Sequence, residues 1–399
     1  MPKFFKIFKF LFIFFFVFSV SIPASATNNY MIITGGAGNL QITGGAGNLI
    51  ITGSGGSVYS VPWYTNSSWY STSWSYRKSI TVDNTKVSAD LTNFPVLINL
   101  SSDASLASHA KTDGSDIIFT SSDGTTKLER GIERYTTATG ELVAWIKIPS
   151  LANSTDTVIY MYYGNAAGAE TNSTSVWDSN YKIVHHYPNG TTLSAADSTS
   201  NGFTGTISGA VAGTGKIDGA GSYDGTDDYI YTADNSAFSP SAFTVSSWVN
   251  FTSFSGADYI VGKPGEYALM YNYTAAGCTA NKLTLAIYAG GTWACADSTT
   301  GPTTSTWYYV TGVHTGSNIY LYINGSLEAG PISKGAVADS TYPIESGGLE
   351  HAPTYAPINA LIDEIHFSNT ARAAEWIATE YNNQNSPSTF YSLGSESTN

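Results

Sequence analysis

The stretch Leu361 to Tyr381 reads LIDEIHFSNTARAAEWIATEY, and its period changes halfway. From Leu361 to Phe367, the residues Leu361, Asp363, Ile365 and Phe367 alternate with Ile362, Glu364 and His366, the two-residue repeat of a strand with two distinct faces. Regular alternation sets Asp363 and Glu364 on opposite faces. After the polar break Ser368-Asn369-Thr370, the apolar set Ala373, Trp376, Ile377 and Tyr381 recurs at three- and four-residue intervals, as on one face of a short surface helix. The segment reads as the closing strand of a β-sandwich, followed by a helical plug and a last strand at Phe390 to Leu393.

Working outward, the composition supports an all-β protein. Only 12% of the 399 residues are charged, against an average of about 25%. Gly (39) and Tyr (27) are abundant, as are Ser and Thr, a profile of extracellular β-proteins. The length suggests roughly two or three domains, and 42% hydrophobic content suffices for real cores. Residues 1–26 read as a signal peptide. Lys3, Lys6 and Lys9 precede the apolar run Phe10 to Val20, and Ala24-Ser25-Ala26 has the form cleaved by signal peptidase. That run is shorter than the roughly 20 residues of a bilayer span, so no membrane span is expected after cleavage. Loss of three lysines and no acid takes the formal charge from −13 to −16, which argues against nucleic acid as a partner. Cys278 and Cys295, an even pair in an exported chain, read as one disulfide closing a hairpin-sized loop.

Residues 27–73 read as a spacer. A unit of period nine, Ile33-Thr-Gly-Gly-Ala-Gly-Asn-Leu40, recurs from Ile42 to Leu49 and decays after Ile51. Three Gly-rich units are too few to bury a solenoid core, which favours a flexible connection over a β-helix. Tyr59, Trp63, Tyr64, Trp69, Tyr70 and Trp74 follow among Ser, Thr and Asn. They either stack on sugars or pack onto the next domain.

From residue 74 to 181, short alternating runs are separated by turn residues, the pattern of an antiparallel sandwich. Asp113-Gly114 and Asp123-Gly124 bracket a strand over Asp116 to Thr120; Glu141 to Ile148 and Thr157 to Tyr163 are further strands. Five motifs in order, Trp74-Ser-Tyr-Arg-Lys-Ser-Ile80, Phe94-Pro-Val-Leu97, Asp113-Gly-Ser-Asp-Ile-Ile-Phe119, Ala144-Trp-Ile-Lys-Ile-Pro149 and Ile159-Tyr-Met-Tyr-Tyr-Gly-Asn165, resemble domain of unknown function 2341. That family occurs in prokaryotic surface proteins and brings no catalytic residues. Residues 182–395 form one larger unit. Ser222-Tyr-Asp-Gly-Thr-Asp-Asp-Tyr-Ile230, Phe243-Thr-Val-Ser-Ser-Trp-Val249, Trp307-Tyr-Tyr-Val-Thr-Gly312, Ile319-Tyr-Leu-Tyr-Ile-Asn-Gly325 and the Leu361 segment together resemble a LamG-like jelly roll of the concanavalin A-like lectin/glucanase superfamily. The resemblance implies two curved antiparallel sheets packed face to face. The expected architecture is two antiparallel β-sandwiches in tandem, the second a concanavalin A-like jelly roll.

No strand carries two carboxylates spaced to flank a glycosidic bond, and His185-His186 lacks the i, i+4 spacing of a helical zinc site. The expectation is therefore a protein without enzymatic activity and with no catalytic residues. In relatives of the resembling superfamily a calcium often joins the first loop to an Asp on the last strand. The resemblance thus implies Asp197 and Asp363 as ligands of a structural calcium; a carboxylate of Asp363 bonded to neighbouring backbone amides is the other reading. For ligand binding, Trp248 and Asn250 share the more polar face of Phe243 to Phe251. Tyr271 and Trp293, with Tyr273 and Tyr288, lie around the disulfide and offer aromatic surface for a sugar. The function read here is a secreted or cell-surface binding protein, recognising a glycan or another cell-surface ligand through the jelly roll. A purely adhesive or structural surface protein and a polysaccharide-degrading enzyme are the alternatives.

Overall fold

The alternating run of Leu361 to Phe367 lies inside a longer strand, Asn359–Ser368, which sits within the largest sheet of the protein. The computed structural model describes residues 41–45, 48–52, 58–62, 69–188, 190–350, 352 and 355–399. The leader, Trp63 and Tyr64 lie outside them. The described residues are mostly strands with few helices, the all-β fold expected from composition and alternation. They fall into two compact units, residues 1–68 and residues 69–399.

In the first unit, Gln41–Gly45, Asn48–Thr52 and Val58–Pro62 form a three-stranded antiparallel sheet, with Gln41 opposite Thr52 and Asn48 opposite Pro62. The described part of the Gly repeat, expected to be a flexible or weakly ordered spacer, thus pairs as strands, Ile42 and Thr43 lying opposite Ile51 and Ile50; the first repeat unit lies outside the described residues.

The second unit holds both sandwiches. In the first, Tyr391–Leu393, Tyr76–Val82, Thr157–Tyr163, Ile118–Ser121 and Lys127–Leu128 lie side by side in one sheet. Leu91–Leu100, Glu141–Leu151 and Arg130–Thr136 form the other. Ile80, Ile159 and Met161 from one sheet and Val96, Ile98 and Ile146 from the other share one buried core. In the jelly roll, an eight-stranded sheet runs from Val211–Thr214 through Gly219–Asp224, Asn359–Ser368, Phe243–Ser253 and Trp307–His314 to Ser326–Ser333. A seven-stranded sheet runs from Thr206–Ser208 to Thr292–Asp297. Val245, Val249 and Phe251 of the first pack with Leu269, Leu285 and Ile287 of the second. Gly312 sits where a Cβ would come within 2.7 Å of Leu285, so the missing side chain lets the two sheets approach.

Two features depart from regular alternation. Between Ser246 and Trp248 the partner strand advances from His366 to Asp363, one residue more than its neighbour, which is a β-bulge. Glu364 takes the strain at φ +50°. The extra residue resets the phase. Ile362, Ile365 and Phe367 all enter the jelly-roll core, while Glu364 and His366 meet on the other side at 2.9 Å. The expected opposition of Asp363 and Glu364, with Ile362 facing away from Ile365 and Phe367, is corrected by this bulge.

The second departure concerns the chain's end. Tyr391–Leu393 pairs with Ile80–Val82, and Ser397–Thr398 with Tyr76 and Arg77. The last strand, expected at Phe390 to Leu393 within the jelly-roll unit, therefore completes the first sandwich instead. The helix Ala374–Asn385 lies between the two: Trp376 meets Phe94 edge-on at 4.8 Å, and Ile377 packs with Val313 and Tyr322. The helix has apolar contacts on both sides, which is why its apolar residues do not form a single surface stripe.

Candidate functional site

The bulge turns Glu364 and His366 toward the first sandwich, where they meet residues from both halves of the unit. Glu364 accepts from Nδ1 of His186 at 2.8 and 3.0 Å and from Nε2 of His366 at 2.9 Å. The other nitrogen of His366 lies 3.1 Å from Oε1 of Glu380 on the helix. From the first sandwich, Oε2 of Glu133 stands 3.7 Å from Nδ1 of His186 and accepts from the indole of Trp145 at 3.1 Å. Its second oxygen has no hydrogen-bond partner, although the side chain is only 2% exposed. Rings close the cluster. Trp145 stacks on His186 with centroids 5.4 Å apart, and Trp177 lies 5.2 Å from both Trp145 and His366.

The electrostatics separate the carboxylates. Burial, reinforced by the charges of Glu364 and Asp363, pushes Glu133 well above the usual carboxylate range. Burial would raise Glu364 too, but the charge of His186 and the hydrogen bonds from both histidines hold it below its ordinary value. Burial opposes the charged form of His366, yet its bonds to Glu364 and Glu380 raise it to about 9. The junction thus pushes two neighbouring carboxyl groups in opposite directions.

A cavity of about 340 Å³ opens above this cluster. Glu133, Trp145, Asn172, Trp177, His186 and Ser198 are among its lining residues, so both sandwiches and the segment joining them contribute. The volume falls in the range of small-molecule sites, roughly 300–1,000 Å³.

The residues expected to bind ligand do not converge there. Trp248 does lie on the face opposite Val249 and Phe251, but that face is covered. The indole is 1% exposed, donates to Gln384 at 2.6 Å, and lies against Tyr309 and Tyr381. Asn250 is half-buried at the same sheet, opposite Trp307 and Leu361. Tyr271 is buried on the other sheet, packed 4.4 Å from Phe254. Trp293 is half-buried and forms an aromatic group with Tyr273 and Tyr288. Trp69, Tyr70 and Trp74 pack onto the first sandwich around Tyr162. Cys278 and Cys295 are joined, as their number suggested.

The two residues assigned to calcium make separate contacts. Asp197 accepts from the amides of Val184, Thr199 and Phe203 and from the hydroxyl of Thr199, so its oxygens serve its own loop. Asp363 is fully buried and accepts from the amide of Ile217 at 2.8 Å, the amide-bonded alternative. These residues do not fit a shared calcium site, which needs about six to eight oxygens free to face one ion.

Glu133, Trp145, Trp177, His186 and His366 escaped the reading of the sequence. One signal was present: Glu364-x-His366 on a strand puts both side chains on one face, and a His pair stood elsewhere. Only the fold brings them together.

Comparison with known proteins agrees with this architecture. Residues 113–196 match the family model described as Domain of unknown function (DUF2341), and residues 224–378 that of the Concanavalin A-like lectin/glucanases superfamily. No curated protein matches the chain. Among solved structures, the chain is similar to domain 4 of AbnA, a GH43 extracellular arabinanase from Geobacillus stearothermophilus, in complex with arabinotriose. The identity is 19% over 51% of this chain and 100% of that one, with a TM-score of 0.41. The binding domain of Paraclostridial Mosquitocidal Protein 1 is 14% identical over 51% of this chain and 52% of that one (TM-score 0.40). The Botulinum Neurotoxin Type G receptor binding domain is 15% identical over 52% of each (TM-score 0.39). The chain thus spans about half the length of the two toxin binding domains. The match over 113–196 runs past the Tyr181–His185 strand and takes in His186. Two family models thus match the chain in succession, DUF2341 first and the concanavalin A-like lectin/glucanase superfamily second.

Proposed function

We propose that this chain is an exported, non-enzymatic binding protein that recognises carbohydrate in the cavity between its two sandwiches. The observation that carries this reading is a cavity of ligand size between the sandwiches, lined by the polar side chains of Asn172, Ser173, Ser194 and Ser198 beside the edges of Trp145 and Trp177, which are 2% and 6% exposed. Sugar recognition uses this combination: amide and hydroxyl groups for the sugar's hydroxyls and an aromatic edge for its C–H groups. The leader at residues 1–26 supports export. The site differs from the one first expected, because Trp248 is covered and the cavity belongs to both domains.

Glycan-array screening, followed by calorimetry on the hits, tests the reading. Binding that falls at least tenfold in Trp177→Ala supports it. A blank array, or hits unaffected by that variant, sinks it and favours adhesion to protein. A second reading, hydrolysis of a polysaccharide, is favoured by one feature: two buried carboxyl groups at the junction, Glu133 pushed above its ordinary range by burial and Glu364 held below it by His186 and His366. Reducing-sugar release that is lost in Glu133→Gln would replace binding with that activity.

A further inference from the structure

The junction cluster carries more acid than its donors satisfy. Three carboxylates, Glu133, Glu364 and Glu380, contact His186 and His366. One oxygen of Glu133 finds no donor, although its side chain is only 2% exposed. An unpaired buried carboxylate is costly unless it is neutralised or meets a cation. At the same place, one ring nitrogen each of His186 and His366 and a carboxylate oxygen of Glu364 lie within 4.8 Å of one another, all on buried residues.

We propose that His186, Glu364 and His366 are ligands of one divalent transition-metal ion of the zinc class, with Glu133 as the fourth. Two imidazoles and carboxylate oxygens suit zinc, whereas calcium and magnesium take all-oxygen shells. Nδ1 of His366 is bonded to Glu380, the outer carboxylate that commonly fixes the tautomer and orientation of a metal-binding imidazole. Glu133 reaches the cluster from the opposite domain with its unpartnered oxygen. His186 and Glu133 also line the cavity, which gives an ion a path from solvent. The ion would therefore bridge the two sandwiches: Glu133 belongs to the first, Glu364 and His366 to the second. The inference is independent of carbohydrate binding, since uptake of metal is measured without a sugar.

The test uses the full mature chain, stripped with chelator, dialysed, and reloaded with zinc or cobalt. Elemental analysis should find one equivalent of zinc, and the cobalt form should show the visible absorption of a four-coordinate ion. His366→Gln and His186→Gln should each weaken uptake by at least about tenfold, while Asp113→Asn, on an exposed turn of the first sandwich, should leave it unchanged. No retained zinc in the wild type overturns the proposal, as does full retention in a folded His186→Gln. If neither histidine variant folds, the wild type decides by NMR. Zinc should shift the ring signals of two of the six histidines, assigned to 186 and 366, and shifts confined to other histidines overturn the assignment.

Discussion

The side-chain amide of Asn383 brackets the backbone of Leu97. Its Oδ1 accepts from the Leu97 amide at 2.7 Å, and its Nδ2 donates to the Leu97 carbonyl at 3.0 Å. A helix residue thereby supplies the pairing that a neighbouring strand would otherwise give to a buried edge. Asn383→Ala leaves both backbone groups without partners, at about 1–3 kcal/mol for each. The expected loss is about 2–4 kcal/mol, read as a shift in the denaturant midpoint. Asn383→Asp, which keeps only the acceptor, should also be less stable than the wild type.

Arg372 binds Asp178 through both terminal nitrogens at 2.8 Å, and its guanidinium lies over Tyr181 and Trp376 at 4.5 and 4.3 Å. It joins the segment between the sandwiches to the start of the helix. A lysine keeps the charge but neither the fork nor the stacking. Arg372→Lys should cost about 1–3 kcal/mol, and thermal unfolding with Asp178→Asn as the partner variant should show non-additive effects.

Trp248 and Trp177 separate stability from binding. Trp248→Ala empties a covered space between sheet and helix and should lower stability by about 3–5 kcal/mol, leaving the affinity of the folded fraction unchanged. Trp177→Ala, whose ring belongs to the core of the first sandwich, should lower stability as well, and in addition the ligand affinity of the folded fraction. Calorimetry on folded protein distinguishes the two.

Glu345 is buried on the seven-stranded sheet, and burial pushes its carboxyl up to about 7. A native value above the unfolded value of 4.5 means that the folded state holds the proton more tightly. The stability it contributes is complete below pH 4.5 and is lost as pH rises through about 7. Glu345→Gln, neutral at every pH, should raise the melting temperature by a few degrees at pH 8 and not at pH 4. Equal shifts at both pH values would refute this assignment.

Much of the fold was legible because period and turn chemistry act locally. The strand Thr157–Tyr163 was placed without error, and the strand around Leu361 only needed extending. The even cysteine count found its bond. The misreadings have a common physical origin. Alternation showed that Trp248 lies opposite Val249, but periodicity does not reveal what covers a face. The bulge at Glu364 has no local mark, since the residue at positive φ is neither Gly nor Asn. One undetected residue inverted the sides of the acidic strand, and with them the site. His186 meets Glu364 because Tyr181–His185 pairs with Asn359–Ser368, and Glu133 joins them only when the two sandwiches dock.

The return of residues 391–398 to Tyr76–Val82 bears on the order in which the chain can finish folding. As the polypeptide leaves the ribosome, the first sandwich emerges with one side of a strand bare, and the residues that cover it are synthesised more than two hundred positions after its own core. Domain families divide this chain into successive parts, yet the earliest part to be made is the last to be complete. A fragment cut between them would lose not a tail but a piece of the other domain's sheet. Any natural exchange of the second domain for another must therefore carry the end strands with it, or find new ones.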